Sequence, residues 1–329
     1  LHVLSRRQRQ MCIRDSTLLK CLADGEFHSG EDLGEMIGVS RAAISKHIKG
    51  IQEWGLDIYR VQGKGYKLAS RLDMLDQERL SAVSRDASLE LIPIIGSTNQ
   101  HLLERTSTLE SGSVCVAEYQ AAGRGRRGRE WVSPFGANLY LSMYWRLDAG
   151  MAAAMGLSLV VGVAVVEALE DMGVEGVKLK WPNDLYHNDK KLAGILVELS
   201  GQSGGAAHIV IGLGLNLSMD PATSGIGQPW TSLKEVCDGK VPDRNDLAQA
   251  LINAWDKSLV DYELKGMSNF VERWNRLDNF LGRNVRLIIG PREIEGVVQG
   301  IDEQGAVLLK TENGVESYIG GEISLRKGD

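Results

Sequence analysis

Nine consecutive residues, Gly123-Arg124-Gly125-Arg126-Arg127-Gly128-Arg129-Glu130-Trp131, set four arginines among three glycines and close on an aromatic ring. Glycine lets the backbone approach a ligand and take unusual dihedrals, and guanidinium groups present planar forks to carboxylate or phosphate. Such a stretch is suited to wrapping an anion; a solvated arginine loop without function is the plainer alternative. Gly123, Gly125 and Gly128 also satisfy G-x-G-x-x-G. A dinucleotide site, however, needs a buried strand before that motif and a helix opening on it, and Pro134, Phe135 and Gly136 stand where the helix would run. A second cluster is Lys180-Trp181-Pro182-Asn183-Asp184-Leu185-Tyr186, followed by Lys190-Lys191-Leu192-Ala193-Gly194-Ile195. It places a lysine, an amide and a carboxylate beside a rigid turn and delivers another lysine at the start of a strand. Lysine can stabilise a carboxylate and a phosphate together, and Asp184 could hold Mg²⁺ or a ribose hydroxyl, although Asn and Asp after Pro are also ordinary turn residues. Gly96-Ser97-Thr98-Asn99 is either a helix N-cap or a set of short polar donors lining a pocket.

The elements that must carry these residues alternate between strand-like and helix-like runs, which predicts an α/β body with an α+β catalytic core. Residues 114–117, 137–145, 192–199 and 209–217 read as strands rich in branched and aromatic residues; Met151 to Met172 and Asn245 to Tyr262 read as long helices. From Asn284 to Arg326 short β runs separated by glycine turns predict a small SH3-like β-barrel. The expected boundaries are a disordered or foreign tail at 1–16, a winged helix-turn-helix at 17–70, the catalytic body at 71–280 and the barrel at 281–329.

The N-terminal domain carries its own signature. Ser29 caps a helix with acids in its first turn, Gly38-Val39-Ser40 turns the chain, and Ser40 caps a second helix, Arg41 to Gly50. Ser40, Arg41, Ala42, Ser45, Lys46 and His47 are the residues expected to meet a DNA groove, with Lys64 in the wing between two short strands. Between Arg41 and Lys67 six Lys or Arg face only Glu53 and Asp57, a local charge of +4 in a chain of net charge −6. Non-specific attraction to DNA is therefore modest, and specificity has to come from the recognition helix and from dimer symmetry. A winged helix can also serve as a protein-protein module.

Composition narrows the class. With 329 residues, 43% apolar and 24% charged, the chain is long enough for two or three globular domains. The most apolar stretch, Met151 to Leu169, contains Gly156, Ser158, Gly162 and Glu167 and reads as a core helix, so no membrane role and a cytoplasmic location are expected. The four cysteines, Cys12, Cys21, Cys115 and Cys237, form no C-x-x-C pair, which argues against a zinc knuckle or a disulfide framework.

Taken in order, Gly96 to Asn99, Gly123 to Arg129, Lys180 to Asp184 and Lys191 to Ile195 resemble the motifs of the bifunctional biotin protein ligase and biotin operon repressor family. The resemblance runs from about Thr17 to Arg326 and departs at Leu1 to Ser16. It implies that biotin and MgATP give biotinyl-5′-adenylate and pyrophosphate, and that the biotinyl group then passes to a lysine of a biotin carboxyl carrier protein. It implies Arg126, Lys191 and Asp184 as catalytic residues and Ser97, Thr98, Asn99, Gln120, Arg124, Gly125, Arg126 and Lys191 around biotin. Arg129, Trp131, Lys180, Asn183, Asn216 and Trp230 would surround the adenylate. A second closing loop is expected at Met219 to Trp230. The adenylate would also be corepressor, completing a homodimer through edge strands near Ala206 to Leu217 and the Arg126-Arg127 loop, so that two winged helices meet a palindromic operator. Two other classes stay open: a lipoate-type carboxylate-adenylating ligase, and a non-enzymatic repressor that senses a small ligand.

Overall fold

The computed structural model of the chain describes residues 6–83, 86–201, 205–319 and 323–327. It opens with helices α1 (Arg6–Leu22), α2 (Gly30–Ile37) and α3 (Arg41–Gln52), followed by an antiparallel hairpin of β1 (Ile58–Val61) and β2 (Gly65–Leu68). The hydroxyls of Ser29 and Ser40 accept from the amides of Asp32 and Ala43 at 3.1 and 3.3 Å, capping α2 and α3 as their positions predict. Gly38 turns the chain at φ 67°, and Gly34 leaves room for it, since a Cβ there would come within 2.7 Å of the Val39 carbonyl. Leu18, Leu22, Leu33, Ile44 and Ile48 fill the centre.

α1 begins at Arg6, so the expected tail is helical over residues 6–16, while residues 1–5 lie outside the described residues. Arginine and glutamine are good helix formers, which extends α1 beyond the apolar run at Leu18.

The body contains β3 (Leu89–Leu91), β4 (Ile94–Ile95), α4 (Thr98–Leu103), β5 (Val114–Ala117), β6 (Tyr119–Gln120), β7 (Asn138–Leu147) and α5 (Leu157–Asp171). It continues with β8 (Lys178–Lys180), β9 (Asp184–His187), β10 (Lys190–Ser200), β11 (Ala207–Asn216), α6 (Leu233–Val236), α7 (Arg244–Lys265) and α8 (Ser268–Leu277). Seven strands form one sheet in the order β3-β5-β7-β11-β10-β9-β8, antiparallel except for β3 with β5. This is an α+β core. Alternate residues separate its faces: Val114, Val116, Ile209 and Ile211 pack in the main core with α5, α7 and α8, whereas Cys115, Tyr144 and Val210 pack with Leu102 of α4.

Two expectations change. The helix expected from Met151 is broken at Gly156, at φ 81°, so a 3₁₀ turn over Met151–Ala154 precedes α5. The stretch 151–171 has the length and apolarity of a membrane span, but 67% of its apolar window is buried within the protein, so its environment is the core. β11 is not an edge: it lies between β7 and β10 along its whole length. Both its hydrogen-bonding sides are used, and it cannot add a partner's strand.

Five strands close the chain, β12 (Asn284–Ile289), β13 (Arg292–Ile301), β14 (Val307–Thr311), β15 (Gly314–Tyr318) and β16 (Ile323–Lys327), as an antiparallel sheet in the order β15-β14-β13-β12-β16. The Trp181 indole donates to the carbonyl of Gly305 at 3.0 Å and ties this sheet to the body. At the other end, Trp54 stacks on Phe135 with ring centroids 5.9 Å apart and packs against Tyr119 at 6.0 Å, joining the winged helix to the body.

Candidate active site

The α4 side of the sheet carries a cleft of about 850 Å³. Glycines make the middle of its floor: Gly194 of β10 and Gly212 and Gly214 of β11 share that face, and Gly194 pairs directly with Gly214. A Cβ at Gly212 would overlap Asn99 Oδ1, and one at Gly214 would overlap the Trp131 indole. The glycines are what allow these two side chains to rest on the sheet.

Asn99 belongs to an uncharged polar end. Ser97 caps α4, its hydroxyl accepting from the Gln100 amide at 3.4 Å, so both readings of this segment, cap and pocket wall, hold at once. The Thr98 amide and hydroxyl approach Gln120 Oε1 at 2.9 and 3.1 Å. Ser142, from β7, places its hydroxyl 2.7 Å from Thr98 Oγ1 and 2.5 Å from Asn99 Oδ1. Arg124 borders this end, and its guanidinium donates to Gln100 Oε1 and Glu198 Oε1, both at 2.9 Å.

The other end is cationic. A bulge in β10 at Lys191/Ala193 adds one residue opposite β9, so Lys191 pairs with Tyr186 and shares the cleft face with Asp184. Regular alternation would have turned Lys191 to the opposite face. Its ammonium lies 2.8 Å from Asp184 Oδ1 and 5.5 Å from the Trp131 ring centre. Arg126 donates to Asn183 Oδ1 at 3.1 Å, while the Asn183 amide donates to the carbonyl of Ile195 at 2.8 Å, which fixes its orientation. Burial lowers the Arg126 pKa; the Asp184 charge pulls it up, and Arg127 and Arg129 push it down. Lys180 donates to the Tyr186 hydroxyl at 3.0 Å and sits over the Tyr186 ring.

Two loops border the cleft. In the first, Arg126–Gly128 makes a 3₁₀ turn with Arg127 at φ 57°, and Arg129 stands exposed on the rim. The Gly125 amide closes that turn by donating to the Arg129 carbonyl at 2.7 Å, and the Trp131 amide donates to the carbonyl of Gly123 at 2.9 Å. In the second loop, Gly225 to Trp230 line the cleft. The Lys191 amide donates to the Pro229 carbonyl at 3.0 Å, and the Thr231 amide donates to the Lys191 carbonyl at 2.9 Å. The Asn216 side chain donates to the Thr231 carbonyl at 3.0 Å, so it both lines the wall and fastens the loop's end. The residues expected around biotin and the adenylate are therefore brought to one cleft. Ser142 and Glu198 were not expected; a lone carboxylate in the otherwise apolar Leu192 to Leu199 run is the signal that marks Glu198.

The expected DNA-facing residues divide. Arg41, Ala42 and Lys46 are exposed on α3, Ser45 is half-buried beside them, and Lys64 is exposed at the wing tip, over the Phe27 ring. The Ser40 hydroxyl is engaged in the cap. His47 departs from that outward set: its Nδ1 lies 2.5 Å from Asp15 of α1, so the imidazole is turned inward to satisfy a buried carboxylate.

The Biotin/lipoate A/B protein ligase family matches residues 91–216, the Biotin protein ligase C terminal domain matches 280–326, and an HTH domain matches 14–67. The Bifunctional ligase/repressor BirA of Salmonella typhimurium is 53% identical over 314 residues, which cover 95% of this chain and 98% of that protein. Its namesake from Escherichia coli is 51% identical, covering 95% and 97%. Among solved structures, the biotin protein ligase from Aquifex aeolicus in complex with biotin and ATP superposes with a TM-score of 0.66 at 32% identity, over 73% of this chain and 99% of that one. The matches span the cleft and the N-terminal domain together, and the chain belongs to the biotin protein ligase family, among its bifunctional ligase/repressors.

Proposed function

We propose that this protein activates biotin with ATP to biotinyl-5′-adenylate, releasing pyrophosphate, transfers the biotinyl group to one lysine of a biotin carboxyl carrier protein, and represses transcription at a biotin operator. The observation that carries this reading is the division of one cleft: a neutral polar end at Ser97, Thr98, Asn99 and Gln120, a cationic end at Arg126 and Lys191, and a glycine floor under Trp131 between them. A ureido ring needs donors and acceptors in fixed places, which short neutral side chains supply; a dithiolane does not, and this favours biotin over lipoate.

For a carboxylate to attack the α-phosphate of a polyanion, mutual repulsion must be lowered and the developing charge stabilised. Arg126 and Lys191 are the cations in reach, held by Asn183 and Asp184, with Gly125 allowing close approach of the backbone and Arg124 at the border of the biotin end. Arg129, Trp131, Lys180, Asn183, Asn216 and Trp230 form the remaining wall against which the nucleotide would lie. Mg²⁺ would neutralise phosphate charge. Among the described residues no three His, Cys, Asp or Glu gather into a metal cage, and Asp184 on the cleft wall is the residue that would help the triphosphate hold the ion.

The adenylate is a mixed anhydride that water destroys, so closure of the 123–131 and 219–230 loops over it is part of the reading. The same ordering makes the adenylate a corepressor: it would complete a homodimer surface at the Arg126-Arg127 loop and the sheet edge. That edge is on β10 beyond Gly194, where β9 pairing ends, rather than on β11. Arg41, Ala42, Ser45 and Lys46 would then meet the operator, with Lys64 on the backbone beside it. We read the C-terminal strands as a small SH3-like barrel and the setting as cytoplasmic. As a test, the protein is incubated with biotin and MgATP, freed of small molecules and examined by mass spectrometry. The reading predicts retained biotinyl-5′-AMP; retained biotin alone would leave a ligand-sensing repressor.

A further inference from the structure

We propose that Glu198 is a positioning residue that sets the hydrogen-bond polarity of the polar end of the cleft and holds Arg124 beside it, an inference that rests on the functional reading above. Glu198 lies on the cleft face of β10, opposite Val210, yet it is not among the residues that line the cleft; Asn99, Gln120 and Arg124 are. Its two oxygens are divided between two donors: Oε1 accepts from Arg124 Nη2 at 2.9 Å, and Oε2 accepts from Asn99 Nδ2 at 2.9 Å.

A carboxylate beside a guanidinium can only accept, so the order of donors and acceptors is forced from this end. Asn99 must turn its NH₂ toward Glu198, where the carbonyl of Leu196 also accepts from it at 3.3 Å, and its Oδ1 must face Ser142. Ser142 has one proton, which goes to Asn99 Oδ1. Its oxygen is then left to accept from Thr98, or Thr98 donates to Gln120 Oε1. The Thr98 amide donates to that same Gln120 oxygen, so Gln120 keeps Oε1 inward and carries its NH₂ on the other side. The absence of a side chain at Gly212 lets Asn99 lie close enough to the sheet to join the chain. One charged group behind the wall thus fixes the orientation of Asn99 and the proton of Ser142, while the Thr98 amide fixes Gln120.

A glutamine at 198 keeps the shape but offers one acceptor and one donor to partners that are both donors. Either Arg124 is released or the Asn99 amide inverts and reverses the chain to Ser142. Aspartate at 198, one methylene shorter, keeps two acceptors for the two donors.

The experiment compares the parent, Glu198→Gln and Glu198→Asp in biotin-dependent pyrophosphate exchange, with thermal unfolding of each and hydrogen exchange of the Asn99 side-chain amide in the parent and Glu198→Gln. The expected result is a rise of about tenfold in KM for biotin for Glu198→Gln, the size of losing one charge-assisted hydrogen bond, with kcat and KM for ATP within about twofold. Glu198→Asp is expected to recover part of that loss, and the Asn99 amide to exchange more slowly in the parent than in Glu198→Gln, where its acceptor is neutral. An unchanged KM for biotin accompanied by a lower melting temperature would make Glu198 merely structural and overturn the proposal; so would equal impairment of Glu198→Gln and Glu198→Asp. A parent that shows no exchange at all contradicts the functional reading instead, and the Asn99 protection then decides the network by itself.

Discussion

Arg126 and Lys191 line one cleft, each held by a neutral or acidic partner, Asn183 at 3.1 Å and Asp184 at 2.8 Å. Arg126→Gly removes one of the loop's four arginines and its contact to Asn183 while leaving Lys191 on Asp184. The expected outcome is adenylate release faster by roughly a hundredfold, from the loss of about 3 kcal/mol of charge-assisted hydrogen bonding, with labelling of unrelated lysines; a filter assay of retained adenylate checks it. Asp278 supplies a residue-level prediction of another kind. Burial pushes its carboxyl up to about 6, against which the Phe280 amide acts in the lowering direction, and Oδ2 has no partner. The folded pKa lies above the unfolded one, so the folded state holds the proton more tightly between about pH 4 and 6, and stability is lost as pH rises through that window. Asp278→Asn removes the cost of the charge and keeps the acceptor to Phe280. Denaturant unfolding should find the variant more stable than the parent at pH 7, by no more than about 3 kcal/mol, and the difference should vanish near pH 4.

At the scale of elements, the cleft depends on what β10 and β11 omit. Gly194, Gly212 and Gly214 leave the middle of the floor bare, and the bulge at Lys191/Ala193 aims the lysine into the cleft. Gly214→Val sets a branched side chain where even a Cβ would overlap the Trp131 indole, so the indole must leave the floor. The strand itself tolerates valine. The expected result is a fold that keeps its circular dichroism and a loss of adenylate retention of at least about tenfold, since Trp131 can no longer reach its place. The chemistry-bearing motifs were legible in the sequence because Ser97, Arg126, Asp184 and Lys191 each lie in a short, unusual string. The caps of α2 and α3 were legible for a local reason too, since Ser29 and Ser40 bond within three residues of themselves. What was not legible depends on partners far away in the chain. Glu198 meets Arg124 and Asn99, Ser142 meets Thr98, and His47 turns inward to Asp15. The interior position of β11 likewise follows from pairing with β7 and β10, which no window of sequence around Ala207–Asn216 encodes.

For the whole molecule, the winged helix is attached to the catalytic body beside the arginine loop. Trp54, just past α3, stacks on Phe135 and touches Tyr119, and Phe135 follows Trp131 by four residues. Deleting residues 1–70 should abolish operator binding, measured by fluorescence anisotropy, and leave the adenylating cleft intact. Because the deletion uncovers Phe135, retention of the adenylate should also shorten; retention equal to that of the parent would show that the stack carries no coupling between the domains. In the proposed function ligase and repressor alike depend on one reaction in that cleft, and the most direct measurement is biotin-dependent exchange of labelled pyrophosphate into ATP, with no acceptor protein and with lipoate and octanoate run beside it. Exchange with biotin alone is the predicted result. Exchange driven by lipoate or octanoate, or none in protein that binds biotin, would contradict it.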